Sequence, residues 1–65
     1  MVNEIGKLAG RVWQKLNEKG PMTMTQLKNS LKTDDFLLAA ALGWLAREDK
    51  LTINKTGKAI KISLN

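Results

Sequence analysis

The 65-residue sequence contains no cysteine and no histidine. Without cysteine there is no disulfide and no thiolate metal site. Without histidine the chain lacks the commonest metal ligand and the commonest general acid–base group. No serine lies next to a base, and Gly6 and Gly10 fall within a helical pattern rather than a phosphate-binding loop. We therefore predict a protein that is not an enzyme, with no catalytic residue, metal, cofactor or small-molecule substrate.

The length indicates one domain, residues 1–65. Chains this short bury only about 60% of their unfolded surface. They usually need a disulfide, a metal or association with another chain to be stable, and association is the option that remains here. Met1 is followed by no signal-peptide pattern, and no apolar run approaches the ~20 residues that cross a bilayer. We expect a cytoplasmic protein with no membrane partner.

The chain carries a formal net charge of +5 and has a sequence pI near 9.9. Such a balance favours polyanionic partners, nucleic acid before anionic membrane surfaces. The alternative is that the charge only keeps a small protein in solution. Composition leaves both interpretations open.

Apolar residues with helical spacing predict a first helix from about Asn3 to Lys19. Asn3 is the expected N-cap, and Gly20 followed by Pro21 is expected to end the helix. The apolar positions that carry this prediction are Ile5, Leu8, Ala9, Val12, Trp13 and Leu16.

A short strand at Met22–Met24 is expected to precede two closely spaced helices. Thr25 is the expected N-cap of a helix over Gln26–Leu31, and Thr33 of a third helix that runs to about Glu48. A gap of about two residues between these helices is typical of a helix-turn-helix.

Alternating apolar residues then predict two strands joined by a turn within Asn54–Lys58, where Gly57 suits a positive φ. The alternating positions are Leu51, Ile53, Ile60, Ile62 and Leu64. Helix, strand, two helices and a hairpin together predict an α+β, mostly α, winged helix-turn-helix fold. Three helices would be followed by a C-terminal β-hairpin wing.

Three segments resemble a family of small prokaryotic winged helix-turn-helix proteins of unknown function. They are Val12-Trp13, Gly20 to Leu27 (GPMTMTQL) and Leu42 to Leu51 (LGWLAREDKL). The resemblance covers most of the chain, and the stretch from Leu42 to Glu48 is its most specific part. It implies a fold of the DNA-binding type and suggests dimers.

Eleven consecutive residues of the third helix, Phe36 to Ala46, carry no polar side chain. One side, with Leu37, Leu38, Ala41, Leu42 and Leu45, is the expected core face. The outer side would have to read base edges, yet its only polar reader is Arg47, and Asp34 and Asp35 at the helix start would repel phosphates. We therefore predict that this side contacts a second copy of the chain. The predicted dimer interface is Phe36, Ala39, Ala40, Gly43 and Trp44.

An alternative is that the first helix or a chain end covers this outer side. Gly43 would then only relieve crowding against Trp13 or the hairpin. Trp13 and Trp44 are both expected to pack in the core rather than to stack on a ligand.

Basic residues cluster in the predicted wing and on the helices. Lys7, Arg11 and Lys15 form a ridge on the first helix that we interpret mainly as a solvated face, and Lys28 and Lys32 form a second ridge. The predicted phosphate contacts are Lys55, Lys58, Lys61, Lys28, Lys32 and Arg47.

The sequence thus predicts a homodimeric module that binds double-stranded DNA and regulates transcription. The alternative is a protein–protein interaction module that binds no nucleic acid.

Overall fold

A computed structural model describes residues 1–65. Its element order is helix, strand, two helices and two strands, which confirms the α+β, mostly helical, winged helix-turn-helix fold. None of the helices combines the length and the apolar character that spanning a bilayer requires. The elements are α1 (Val2–Lys19), β1 (Met22–Thr23), α2 (Met24–Leu31), α3 (Asp35–Arg47), β2 (Leu51–Thr56) and β3 (Ala59–Leu64).

Helix α1 begins one residue earlier than predicted. Its N-cap is Met1, which makes no side-chain capping bond, so the assignment of Asn3 as N-cap was wrong. Asn3 lies inside the first turn because the helical backbone continues past it. At the other end Gly20 adopts φ +81° and its N–H donates to the carbonyl of Leu16, which ends the helix as predicted.

Helix α2 is closed at its start by Thr23, not by Thr25 as predicted. The N–H of Gln26 donates to Thr23 Oγ1 at 3.1 Å, and the N–H of Thr23 donates to Gln26 Oε1 at 3.0 Å. This reciprocal pair is a capping box. It requires a Gln or Glu three residues after the cap, a condition that Thr23 meets and Thr25 does not.

The connection between α2 and α3 has three residues, Lys32 to Asp34, one more than predicted. Asp34 is the N-cap of α3, since its Oδ1 accepts a hydrogen bond of 2.8 Å from the N–H of Leu37. The predicted cap Thr33 instead donates its N–H to the carbonyl of Lys28 at 3.2 Å. Lys32 adopts φ +53° beyond the end of α2. The predicted ridge of Lys28 and Lys32 was therefore wrong, because the helix stops between them.

The sheet has the strand order β1-β3-β2 and is antiparallel throughout. Strand β3 is central; Ile62 pairs with Met22 on one side and with Ile53 on the other. The turn of the hairpin is narrower than predicted, with only Gly57 and Lys58 between the strands. Gly57 has φ +58°, as predicted for this turn.

Twelve buried apolar residues from the helices and the sheet form one core. Helix α3 contributes Leu38, Ala41, Leu42 and Leu45, which confirms its predicted core face, and Leu37 packs at the edge. The hairpin buries less than predicted: Ile53 is 43% exposed because β2 is an edge strand that extends away from the helices. The core members are Leu8, Ala9, Val12, Leu16, Leu27, Leu31, Leu38, Ala41, Leu42, Leu45, Leu51 and Ile62.

Trp13 and Trp44 do not belong to this core. Each side chain is 41% exposed, so their prediction as core residues was wrong. Leucine and alanine side chains already fill the contact between α1 and α3, and the bulkier indoles lie at the rim of that contact, where they cover part of it from solvent.

Candidate nucleic-acid interface and apolar helix seam

The wing and the starts of α2 and α3 enclose a shallow hollow, which we call the wing hollow. It brings Lys58 of the turn and Asp35 of α3 onto one surface. The first two residues of α2, Met24 and Thr25, lie in the same wall with their backbone N–H groups at the positive helix end. The full lining is Thr23, Met24, Thr25, Asp35, Lys58, Ala59 and Ile60.

The three lysines of the wing occupy different positions in the hairpin. Lys58 is the second residue of the turn. Lys61 pairs with Thr23 and Asn54 across the strands, so the three side chains share the outer face of the sheet, as predicted for Lys61. Lys55 pairs with Ile60, and both side chains lie on the other face of the sheet, opposite to Lys61. All three are exposed, and together they distribute positive charge around the wing.

Lys28 forms the only ion pair of the chain. Its Nζ lies 3.2 Å from Oδ1 of Asp35, and the two side chains are 40% and 76% exposed. The pair joins the last turn of α2 to the first residue of α3. The carboxylates of Asp34 and Asp35, which we expected to oppose docking on DNA, are therefore engaged, one in capping α3 and one with Lys28.

Lys32 lies in a different part of the surface, in a hollow between α1 and the end of α2. It shares this hollow with Lys7 and Arg11, and Glu4 is at its edge. Arg11 is not a free charge, because its guanidinium donates to the carbonyl of Leu31 at 3.3 Å. A cation at this position satisfies the C-terminal end of α2, so Arg11 ties α1 to α2.

Arg47 ends α3, twelve residues after Asp35, which places the two about 18 Å apart along the helix axis. It lines a hollow with Ile5, Ala40 and Trp44 instead of the wing hollow. The structure thus places Lys55, Lys58 and Lys61 in the wing and Lys28 beside Asp35 of the wing hollow. Lys32 and Arg47 line other hollows. The assignment of all six residues as phosphate contacts stays a prediction.

The second surface is a groove along the line where α1 meets α3, which we call the seam groove. It consists of two adjoining hollows that share Trp44 and Glu48. The end near Arg47 is lined by Ile5, Ala40 and Gly43. The other end is lined by Gly6, Ala9, Gly10, Trp13, Leu45 and Lys50.

Trp44 crosses the seam. A Cβ built on Gly6 would lie 3.7 Å from Trp44 Cζ2, an ordinary van der Waals distance, so the indole covers this turn of α1. Farther along the outer side of α3, Phe36 is 64% exposed and Ala39 is also exposed. The alternative interpretation required the first helix to cover the outer side of α3, but Phe36 and Ala39 are left exposed.

Gly43 has no neighbour in the chain that would exclude a larger residue. A Cβ at this position would meet nothing within 4 Å. The lack of a side chain at Gly43 therefore does not relieve crowding against Trp13 or the hairpin, which was the alternative explanation for this glycine. The five predicted interface residues, Phe36, Ala39, Ala40, Gly43 and Trp44, all lie along the outer side of α3, where only Ala40 is half-buried.

Sequence reasoning missed the contribution of α1 to this surface. Ile5 and Trp13 satisfy the helical spacing of the core, so they were assigned to it. The available signal was the pair of glycines at positions 6 and 10, which lower the α1 surface beside the bulky Trp44 and leave a depression there.

Comparison with known proteins agrees with the fold. Residues 1–64 match the model of the family described as winged helix-turn-helix domain (DUF2582). The chain belongs to this family. It is 34% identical over 67 residues to the uncharacterized protein MJ1608 of Methanocaldococcus jannaschii, covering 98% of this chain and 94% of that protein.

A solved structure extends the similarity to three dimensions. The solution NMR structure of protein BT2368 from Bacteroides thetaiotaomicron matches with a TM-score of 0.84 and 34% sequence identity. The match covers 95% of this chain and 76% of that one. These comparisons support a module of the DNA-binding type by fold, and fold alone leaves the ligand to be argued from the surface.

Proposed function

We propose that this chain is a non-enzymatic, cytoplasmic, single-domain winged helix-turn-helix module that binds double-stranded DNA as a homodimer and regulates transcription. The wing makes the principal contacts, which are to phosphates. Lys58 at the turn, Lys55 and Lys61 on the strands and Lys28 beside the wing hollow supply the charge. Such contacts position a protein on the duplex without reading its sequence.

The observation that carries this proposal is the position of Lys58. Lys58 of the turn lines the same hollow as Met24 and Thr25 at the start of α2, where the positive end of a helix adds to the attraction for a phosphate. A duplex that follows the wing would meet Lys55 and Lys61 on either side of the hairpin. The net charge of +5 supports the same polyanionic partner.

The homodimer forms through the outer side of α3. Phe36, Ala39, Ala40, Gly43 and Trp44 expose a continuous apolar strip, and burying Phe36 alone stabilises each subunit's contact by about 1.5–3 kcal/mol. In a two-fold contact each strip meets its own copy, so the gain counts twice. Helix α3, which would otherwise enter the major groove, then contacts mainly protein. The wing makes the contacts with DNA instead.

A fluorescence-anisotropy titration with a random-sequence duplex at two salt concentrations tests the DNA contact. We expect affinity to fall steeply with salt, with a slope of about 0.9 per phosphate contact in log–log form. Replacing Lys55→Glu and Lys58→Glu together removes two contacts, so the slope should decrease by about two.

The matched control is the double variant Lys7→Glu with Lys15→Glu, which changes the charge by the same amount on α1. We expect it to keep the salt slope of the parent. Equal losses in both double variants would mean that net charge, not the wing, drives binding. No binding of the parent at low salt would favour the second candidate, an interaction module without nucleic acid, which the exposed apolar strip of α3 supports.

A further inference from the structure

We infer that the seam groove is the centre of the interface between two copies of this chain, so that α1 and α3 of each copy pack against α1 and α3 of the other. This inference rests on the proposed homodimer and specifies its geometry. To the outer strip of α3 it adds Ile5 and Trp13 of α1, together with Arg47, the last residue of α3, and its C-cap Glu48.

The groove contains two of the three aromatic residues of the chain. Two tryptophans, each 41% exposed, lie at one continuous depression in a chain that has only three aromatic residues. The third, Phe36, is also exposed, so every aromatic side chain is at the surface. Aromatic residues concentrate at the centres of protein interfaces, where they fill pockets in the partner.

An interface of standard size would occupy only a small part of the surface of this chain. A standard interface buries about 800 Å² on each partner. The whole chain exposes 4490 Å², so such an interface would take less than a fifth of the surface. Ile5, Trp13 and Trp44 line the groove itself. Phe36 is exposed on α3 about 12 Å before Trp44, and the wing lines a separate hollow.

Charge complementarity identifies the occupant as a second copy. Arg47 and Glu48 lie next to each other at the rim of the groove, and neither forms an ion pair within the chain. A two-fold axis that passes beside these two residues would bring Arg47 of each copy to Glu48 of the other, since an isologous contact repeats every pair. Each copy thus presents one positive and one negative side chain that can pair with the opposite charges of the second copy.

The floor of the groove admits close approach. Neither Gly10 nor Gly43 has any atom within 4 Å of the position of a Cβ. A tryptophan ring of the second copy can therefore lie against bare backbone of α1 or α3. Because the fold does not require these two glycines, the space above them is available to a partner.

Sedimentation equilibrium tests the inference. We expect the parent to sediment at twice the 7.2 kDa of one chain. Trp13→Lys should raise the dissociation constant of the dimer roughly 30-fold or more, as expected for a central aromatic residue. Gln14→Lys, the matched control, adds the same charge to the neighbouring exposed position and should leave the mass unchanged.

Charge reversal gives a second test that does not depend on the tolerance of the fold for Trp13→Lys. Arg47→Glu alone and Glu48→Arg alone should each weaken the dimer, because they place like charges across the axis. Combining Arg47→Glu with Glu48→Arg should restore it. Thermal unfolding followed by circular dichroism would show that each variant is folded.

The possible failures are distinguishable. A parent that is monomeric would contradict the proposed homodimer itself. If the parent is a dimer, the Trp13→Lys variant keeps the dimer mass and the Phe36→Lys variant dissociates, the homodimer stands but the seam groove is not its centre. Failure of the combined charge reversal to restore the dimer would overturn the pairing of Arg47 with Glu48.

Discussion

Lys28 of α2 and Asp35 of α3 form an ion pair of 3.2 Å beside the surface that we assign to DNA. Both side chains are substantially exposed, so the pair contributes little to stability. The pair matters for binding, because the carboxylate of Asp35 competes with a phosphate for the ammonium group of Lys28. It therefore weakens the attraction of this part of the molecule for a duplex.

Asp35→Asn should raise the affinity for random-sequence DNA several-fold and steepen the salt slope by about one, because Lys28 becomes available as a phosphate contact. Anisotropy titrations of the parent, Asp35→Asn, Lys28→Gln and the double variant form a complete cycle. The gain from Asp35→Asn should shrink when Lys28 is absent. Glu18→Gln removes the same charge from α1, and an equal gain from that control would contradict a specific role for Asp35.

Thr23→Ala should destabilise the fold by about 1 kcal/mol, since it removes one half of the capping box at the start of α2. For a chain of this size that corresponds to a melting temperature about 4–8 °C lower. Thr25→Ala, two residues along, is the control and should have little effect because Thr25 makes no capping bond. Thermal unfolding by circular dichroism measures both, and a larger loss from Thr25→Ala would refute the cap assignment.

Lys32→Gly should stabilise the fold by about 0.5–1 kcal/mol. Lys32 adopts φ +53°, a conformation that costs a non-glycine residue roughly 1 kcal/mol or more, and part of the gain is offset by the greater freedom of glycine in the unfolded chain. Denaturant unfolding gives the difference. Gln14→Gly, in the middle of α1, should lower stability instead, by about 0.5–1 kcal/mol.

Gly43→Ala separates folding from association. Because a Cβ at this position meets no other atom within 4 Å, alanine should stabilise α3 by about 0.5–1 kcal/mol. The same methyl group would obstruct a helix that packs on the outer side of α3, so the dimer should weaken. Unfolding measured at protein concentrations below the dissociation constant of the dimer tests the effect on stability. Sedimentation at higher concentrations tests the effect on association. An unchanged dimer would place Gly43 outside the interface.

Much of the fold could be predicted from the sequence because it depends on local periodicity. The helical spacing of Leu8, Val12 and Leu16 and the alternation from Ile60 to Leu64 each identify their element alone. The start of α2 was misplaced because Thr23 and Thr25 are both suitable caps by residue type, although Gln26, three residues after Thr23, favours the first. The start of α3 was misplaced because Thr33 and Asp34 are both suitable caps.

The surfaces were harder to predict, because they depend on how elements meet. The spacing of Trp13 on α1 is equally compatible with the core and with its rim, and the position of α3 decides between them. In the same way Lys28 and Arg47 are both basic residues near helix ends, yet the fold directs one toward Asp35 and the other toward Trp44.

The partial exposure of both indoles has a spectroscopic consequence. Each indole is 41% exposed, so the fold covers the rest of it, and the intrinsic emission of the isolated chain should lie between that of a buried and that of a fully solvated indole. Thermal unfolding should shift the emission to longer wavelengths, whereas a molecule that covers Trp13 and Trp44 should shift it to shorter ones. The direction of the shift therefore distinguishes unfolding from association.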